Sequence, residues 1–369
     1  MRTLVISDLH LGLHSGGEVL TRPAALGALL ERLADVDRLV LLGDTLELRH
    51  GPTRDALTVA EPVLRAIGDA LGAGRDVVIV PGNHDHAIGA GWLDWRGRRQ
   101  APDPLALDER IPADRASWIG KRLGAFLAPA NVEVAYPGLW LRDDVFAMHG
   151  HYADVHLSIP TLERLAAGVM TRMVGAIPDP ATPDDYESVL APIYALSQAS
   201  AQRAAPGRVT VGSRSAVAAW RALSGRDSSS RVRSRALAVP FRLGVGIVNR
   251  AGVGPVEARV SVEDLRRGGL DAATEAARRL RLAPAHLVLG HTHRTGRLAH
   301  DPAAEWRTPG GTELHNAGNW IFDPLFMGRG PQGSSPYWPG GAILVEDEGP
   351  PRLERLLADM PAKLLRAPL

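Results

Sequence analysis

The sequence predicts an α/β protein built on a mixed β-sheet, and two observations carry that expectation. Short aliphatic runs recur and each stops at a glycine and a polar residue. Between the first three of them lie segments whose apolar residues return every three or four positions. Strand and helix alternating in this way imply parallel pairing with helices laid on the sheet.

The elements follow in order. Thr3 to Ile6 of "TLVISDLHLG" are β-branched or apolar and read as a buried strand. A helix is predicted over 23–35, a strand in "RLVLLG" before Asp44, a second helix over 54–71, and a strand in "DVVIVPG" before Asn83. Further strands are predicted at 131–136, 139–150, 312–318 and 341–347 and in "HLVLG" before His291, some without long helices between them, so the sheet is mixed. Residues 152–284 interrupt this series as a mostly helical insertion between core portions 1–151 and 285–369. Within it, 182–202 starts with Thr182 as a cap, Pro183 in the first turn and Asp185 three residues after the cap; 261–282 repeats the spacing with Ser261 and Asp264. The polar stretch 225–236 reads as a connector.

Length and composition set bounds. At 369 residues the chain has room for two or three structural units, or for one large domain with an insertion. Its 42 Lys and Arg against 41 Asp and Glu give a net charge of +1, which weighs against a global field for nucleic acid. The absence of cysteine excludes disulfides and thiolate metal sites, leaving His, Asp, Glu and Asn as ligands. The start "MRTLVISD" has no secretory pattern and no stretch has the length of a membrane span, so a cytoplasmic location is expected.

Asp8 and His10 are costly residues to bury unpaired at the end of a strand. If the chain stays extended there, residues two apart face the same way, and an oxygen and a nitrogen converge as half of a metal site. The spacing returns in "LGHTHR" at His291 and His293 and in "MHGHYADVH" at His149 and His151, while "LLGDTLEL" adds Asp44 and "VPGNHDH" adds Asn83, His84 and Asp85. All sit where strands end, the side of a parallel sheet where ligand crevices form. Gly43, Gly82 and Gly290 precede these residues and suit a close backbone approach.

The ordered blocks D-x-H, G-D, G-N-H-D, H and G-H-x-H resemble those of the calcineurin-like metallophosphoesterase superfamily. The resemblance implies two mixed β-sheets packed face to face with helices outside. It makes Asp8, His10 and His293 ligands of one metal, Asn83, His149 and His291 ligands of the other, and Asp44 the bridge between them. Two divalent transition-metal ions are implied, manganese first, with iron, zinc, cobalt or nickel also suited to these donors. A shared hydroxide would attack phosphorus in line, and the cluster charge near +1 would attract a phosphate ester. His84 is the expected general acid, with Glu47 replacing the aspartate that related phosphatases place three residues after the bridging one. His151 and Asn319 are candidates for the substrate pocket. His86 and His156 carry a weaker expectation, and His14, His50, His286 and His300 read as ordinary polar positions.

The expected activity is hydrolysis of P–O bonds by an unidentified phosphoesterase. The alternatives are a nuclease or cyclic-nucleotide phosphodiesterase, a nucleotide-lipid pyrophosphatase, and a non-catalytic scaffold, which ought to have lost ligands. The opening "ISDLHLG" and an insertion after the fourth block resemble a lipid A precursor hydrolase group, but "GNHD" replaces its usual Gly-Asn-Arg-Asp. The insertion is the expected cap over the pocket. Its run 225–254, with Arg231, Arg233 and Arg235, is a candidate for contact with a lipid or membrane surface.

Overall fold

The computed structural model describes residues 1–159, 161–203, 250, 262–328 and 330–366. The chain divides into two compact units, one of Met1–His151, Ala201–Arg203 and Pro284–Leu369, the other of Tyr152–Ser200 and Ala204–Ala283.

In the first unit, strand β1 (Thr3–Ile6), helix α1 (Pro23–Leu33), β2 (Arg38–Leu42), α2 (Thr53–Leu71) and β3 (Asp76–Val80) form successive βαβ units. Next come α3 (Ala87–Gly97), β4 (Asp108–Pro112), α4 (Ala113–Ala116) and α5 (Trp118–Leu127). Strands β5 (Asn131–Arg142) and β6 (Val145–Met148) complete the first stretch of this unit. After the second unit the chain adds β7 (His286–Leu289), β8 (Thr295–Gly296), β9 (Glu313–Ala317), β10 (Gly341–Val345) and β11 (Arg352–Arg355).

These strands make one 11-stranded mixed sheet in the order β11-β10-β1-β2-β3-β5-β6-β7-β9-β8, with β4 on β5. The expectation of two separate sheets is corrected to a single hydrogen-bonded path. Strand β5 is the reason: its first residues pair parallel with β3 and its last pair antiparallel with β6, so one strand of 12 residues belongs to both halves. Val5, Val40 and Val78 of the first half share an apolar cluster with Leu139, Ala147, Val288 and Ala317 of the second. The alternate residues Leu4, Leu39 and Val77 face Leu29, Leu64 and Leu123 of α1, α2 and α5. Strands covered on both faces read as continuous aliphatic runs, which is why they stood out in the sequence.

The second unit contains α6 (Leu162–Val174), α7 (Pro183–Gln202, whose last residues fall in the first unit) and α8 (Val262–Arg279). Thr182 and Asp185 cap α7 reciprocally: Thr182 N–H donates to Asp185 Oδ2 at 2.7 Å and Asp185 N–H donates to Thr182 Oγ1 at 3.4 Å. Tyr152 and Tyr186 stack with ring centroids 4.5 Å apart, and His156 Nε2 lies 2.8 Å from the Tyr186 hydroxyl. The expected cap residue Ser261, the 225–236 connector and most of the 225–254 run lie outside the described residues. No helix among the described residues is long and apolar enough to cross a membrane.

Candidate metal centre

The seven residues expected to hold metal all lie just beyond strand ends in the first unit: Asp8 and His10 after β1, Asp44 after β2, Asn83 after β3, His149 after β6, His291 and His293 after β7. Four of these strands, β1, β2, β3 and β7, run parallel to a sheet neighbour, as does β6, so the residues leave from carboxyl ends. The backbone there is not extended. Asp8, His10, Asp44, His291 and His293 have φ of 58°, 45°, 52°, 67° and 57°, the left-handed region that costs an ordinary residue about 1 to 3 kcal/mol. The two-apart spacing therefore reflects successive left-handed turns rather than one face of a strand. Backbone bonds hold these turns, with Asp8 N–H on the Gly43 carbonyl at 3.1 Å and His10 N–H on that of Asp44 at 2.8 Å.

The turns gather two groups of ligand atoms, Asp8 with His10 and His293, and Asp44 with His149 and His291, and a third, His10 with Asp44 and His84, overlaps both. Asp44 Oδ2 is 3.3 Å from His149 Nε2 and 3.5 Å from His10 Nε2, so its carboxylate stands between the groups. His10 Nε2 is 3.1 Å from His293 Nε2. One end of the Asn83 amide is 3.2 Å from Asp44 Oδ2 and 3.3 Å from His149 Nε2, the other 3.1 Å from an Arg49 nitrogen. Glycines allow this crowding: a Cβ on Gly43 would lie 2.1 Å from His149 Nδ1, on Gly82 2.3 Å from Asp44 Oδ1, and on Gly290 1.9 Å from Ser7 Oγ.

Several observations fit these groups to cations. Asp8 Oδ2 accepts the His291 N–H at 3.0 Å, whereas the buried Oδ1 accepts no hydrogen bond and lies 3.2 Å from His293 Nε2. His149 Nδ1 is 2.9 Å from the Leu42 carbonyl, which places its proton there and leaves the Nε2 lone pair for the cluster. His10 Nδ1 is likewise engaged, 3.0 Å from Glu47 Oε2. Burial opposes a charge on His149, yet Asp44 and Asp8 push it up to about 9. The same forces raise His10 well above its ordinary value, through Asp8, Glu47 and Asp44. The buried carboxylates thus favour positive charge at this point.

His84 flanks the cluster: its N–H donates to Asp44 Oδ1 at 2.8 Å, and its Nδ1 is 2.8 Å from Glu47 Oε2. Glu47 is buried, and despite the opposing effect of burial, His84, His10 and His50 hold its carboxyl well below the carboxylate range. His50, expected to be an ordinary polar position, has Nδ1 3.4 Å from the same Oε2. His151 follows the end of β6 in a short 3₁₀ turn instead of continuing the strand; it is buried, with its ring 5.7 Å from that of His149 and Nε2 3.4 Å from the Tyr136 hydroxyl. Asn319 is also buried, and its Nδ2 donates to the His293 carbonyl at 2.7 Å. His86 packs edge-on to Tyr136, and His156 lies in the second unit.

Two further residues, Asp85 of the G-N-H-D block and Ser7, position the turns. Asp85 accepts backbone N–H groups of Asp44, Thr45, Leu46 and Gly82 at 3.2, 2.7, 3.2 and 2.7 Å, which fixes the turn that carries Asp44. Ser7 Oγ lies 2.6 Å from the Leu42 carbonyl and 2.5 Å from Asp8 Oδ2, tying the ends of β1 and β2. Asp85 is the last letter of the G-N-H-D block, whereas the only sequence signal for Ser7 was adjacency to Asp8.

The calcineurin-like phosphoesterase family model matches residues 1–179. That match takes in just under half of the 369 residues and contains Asp8, His10, Asp44, Asn83 and His149. The chain is also 34% identical over 112 residues to UDP-2,3-diacylglucosamine hydrolases of Xanthomonas campestris pv. campestris and Marinobacter nauticus. That match takes in 29% of this chain and 42% and 43% of the two relatives, so the chain spans less than half the length of the curated relatives it matches. Among solved structures, a mutant cold-active protein tyrosine phosphatase aligns over 94% of this chain and 75% of its own at 15% identity and a TM-score of 0.28. The enzyme of a psychrophile Shewanella species aligns with the same coverage and a TM-score of 0.25. Likeness at that level carries no argument.

Proposed function

We propose that this chain is a phosphoesterase that hydrolyses P–O bonds of phosphate esters with two divalent transition-metal ions, manganese first among them. The observation that carries the reading is the pair of His/Asp groups, Asp8-His10-His293 and Asp44-His149-His291, gathered from four strand ends around one shared carboxylate. In this reading Asp8, His10 and His293 hold one ion, Asn83, His149 and His291 the other, and Asp44 bridges. Ions held there acidify a water and draw charge from phosphoryl oxygens. With its oxygen turned inward Asn83 is a ligand, and ion binding selects that orientation over the one in which its nitrogen donates to Asp44.

His84 acts as the general acid. Glu47 fixes its Nδ1 at 2.8 Å, which leaves Nε2 to give a proton to the departing alkoxide. Glu47 also orients ligand His10, so one carboxylate positions both the acid and the metal group. Asn319, through the His293 carbonyl, and His151, beneath His149, support the pocket from behind the ligands. Core portions 1–151 and 285–369 form the catalytic part and the mostly helical 152–284 selects the substrate, with 225–254 as the contact for a lipid or membrane surface.

Similarity to enzymes named for hydrolysis of UDP-2,3-diacylglucosamine supports a second reading, cleavage of a nucleoside diphosphate linked to a lipid. Metal-free protein reloaded separately with Mn, Zn, Fe, Co and Ni, assayed on phosphomonoesters, diesters, nucleotide-linked pyrophosphates and nucleic acids, separates these. Turnover of the pyrophosphates alone selects the second reading, and no turnover of any of them with any metal contradicts both.

A further inference from the structure

His286 and Glu313 open the neighbouring parallel strands β7 and β9 and are register partners, with His315 two residues further along β9. Residues two apart on a strand share a face, so the three side chains lie together on the face that carries Val288 and Ala317. His286 Nδ1 is 3.2 Å from His315 Nε2 and 3.7 Å from Glu313 Oε2. The rings are tilted by 56° with centroids 5.3 Å apart, so they meet at nitrogen-bearing edges rather than stacking. His291 leaves the other end of β7, and at about 3.3 Å per residue the four-residue strand separates the two places by about 13 Å.

We infer that His286, Glu313 and His315 form a further cation site, distinct from the paired groups above, that takes a borderline transition metal such as zinc. Two nitrogens each about 2.0 to 2.1 Å from a tetrahedral ion stand about 3.3 Å apart, close to the observed separation. Glu313 supplies Oε2, and water fills the fourth position. Arg307 pairs with Glu313 Oε1, which orients the carboxylate and leaves Oε2 toward His286. Burial, with His286 beside it, pushes His315 down to about 4, so the ring is neutral and its lone pair available at neutral pH. Without a cation, one proton must sit between the two facing nitrogens; the ion replaces that proton and both rings carry their hydrogens on the outer nitrogen. Arg307 offsets part of the Glu313 charge, so this site binds more weakly than the carboxylate-rich pair.

The test counts zinc bound to the full chain by equilibrium dialysis and elemental analysis, beside a cobalt titration read in the visible spectrum. The double variant His286→Gln, His315→Gln is expected to hold one zinc equivalent fewer than the native chain, to lose the tetrahedral cobalt bands of that equivalent, and to keep its hydrolytic rate. Equal zinc counts in the two proteins overturn the site. Glu313→Gln, at a half-exposed position where the fold is not at risk, provides the second reading: its weakest zinc equivalent should bind at least about tenfold less tightly. Unchanged affinity in that variant also overturns the site.

Discussion

Glu47 Oε2 lies 2.8 Å from Nδ1 of His84. Because that oxygen also meets His10 Nδ1 at 3.0 Å, the pair joins the proposed acid to a proposed ligand. His84→Ala is predicted to keep its metal content and lose about 100-fold or more in kcat, most with poor leaving groups. Glu47→Gln should lose both turnover and metal affinity, the latter by about tenfold or more. Steady-state rates and metal content on the same preparations check both; an unchanged rate for His84→Ala removes it from the chemistry.

Asp85 holds four backbone N–H groups with two oxygens. In Asp85→Asn an NH₂ group faces two of those donors, and each buried donor left unsatisfied costs about 1 to 3 kcal/mol. Urea unfolding should show a loss of about 2 kcal/mol or more, together with weaker metal binding. Native stability in this variant would mean that the turn around Asp44 holds itself.

Gly43 has φ of 84°, and a Cβ there would meet His149 Nδ1 at 2.1 Å. Gly43→Ala is predicted to push His149 from its bond to the Leu42 carbonyl and to lower metal affinity at least about tenfold. Calorimetric titration with manganese measures it.

The five motif blocks were legible in the sequence because each follows an aliphatic strand, and the strand runs 3–6, 38–42, 76–80 and 286–289 fall within the predicted ones. The turn conformations were not legible. D-x-H and H-x-H read as extended pairs, yet Asp8, His10, His291 and His293 are left-handed, a geometry imposed by bonds to the Gly43 and Asp44 carbonyls and to Asp8 across long stretches of chain. The pair Pro137-Gly138 reads as a break between two strands, but β5 runs through it while changing partner from β3 to β6, and this unites the sheet. Helices α3 and α5 also escaped notice, α3 because only Ile88 and Gly89 are buried along it and its apolar stripe is short. Asp85 stands in the G-N-H-D block, but its hold on the turn around Asp44 and the His286-His315 contact depend on partners about 40 and 29 residues away, beyond any local pattern.

His156 in the second unit is held neutral: burial, helped by the Arg279 charge, pushes it from 6.5 down to about 4. Its folded value is depressed, so only the unfolded chain takes up this proton between those values. Its contribution to stability is therefore complete above about pH 6.5 and is lost as pH falls toward 4, at up to about 1.4 kcal/mol per pH unit. Between pH 6.5 and 4, His156→Gln should show a shallower decline of Tm than the native chain. Identical slopes would refute the neutral, buried state.

An anomalous difference map from crystals of the manganese-loaded protein tests the central proposal most directly. It is predicted to contain two peaks about 3.5 to 4 Å apart, both within bonding distance of Asp44, one beside Asp8, His10 and His293 and the other beside Asn83, His149 and His291. A map with no peak among these side chains, or with a single peak that Asp44 does not touch, would contradict it.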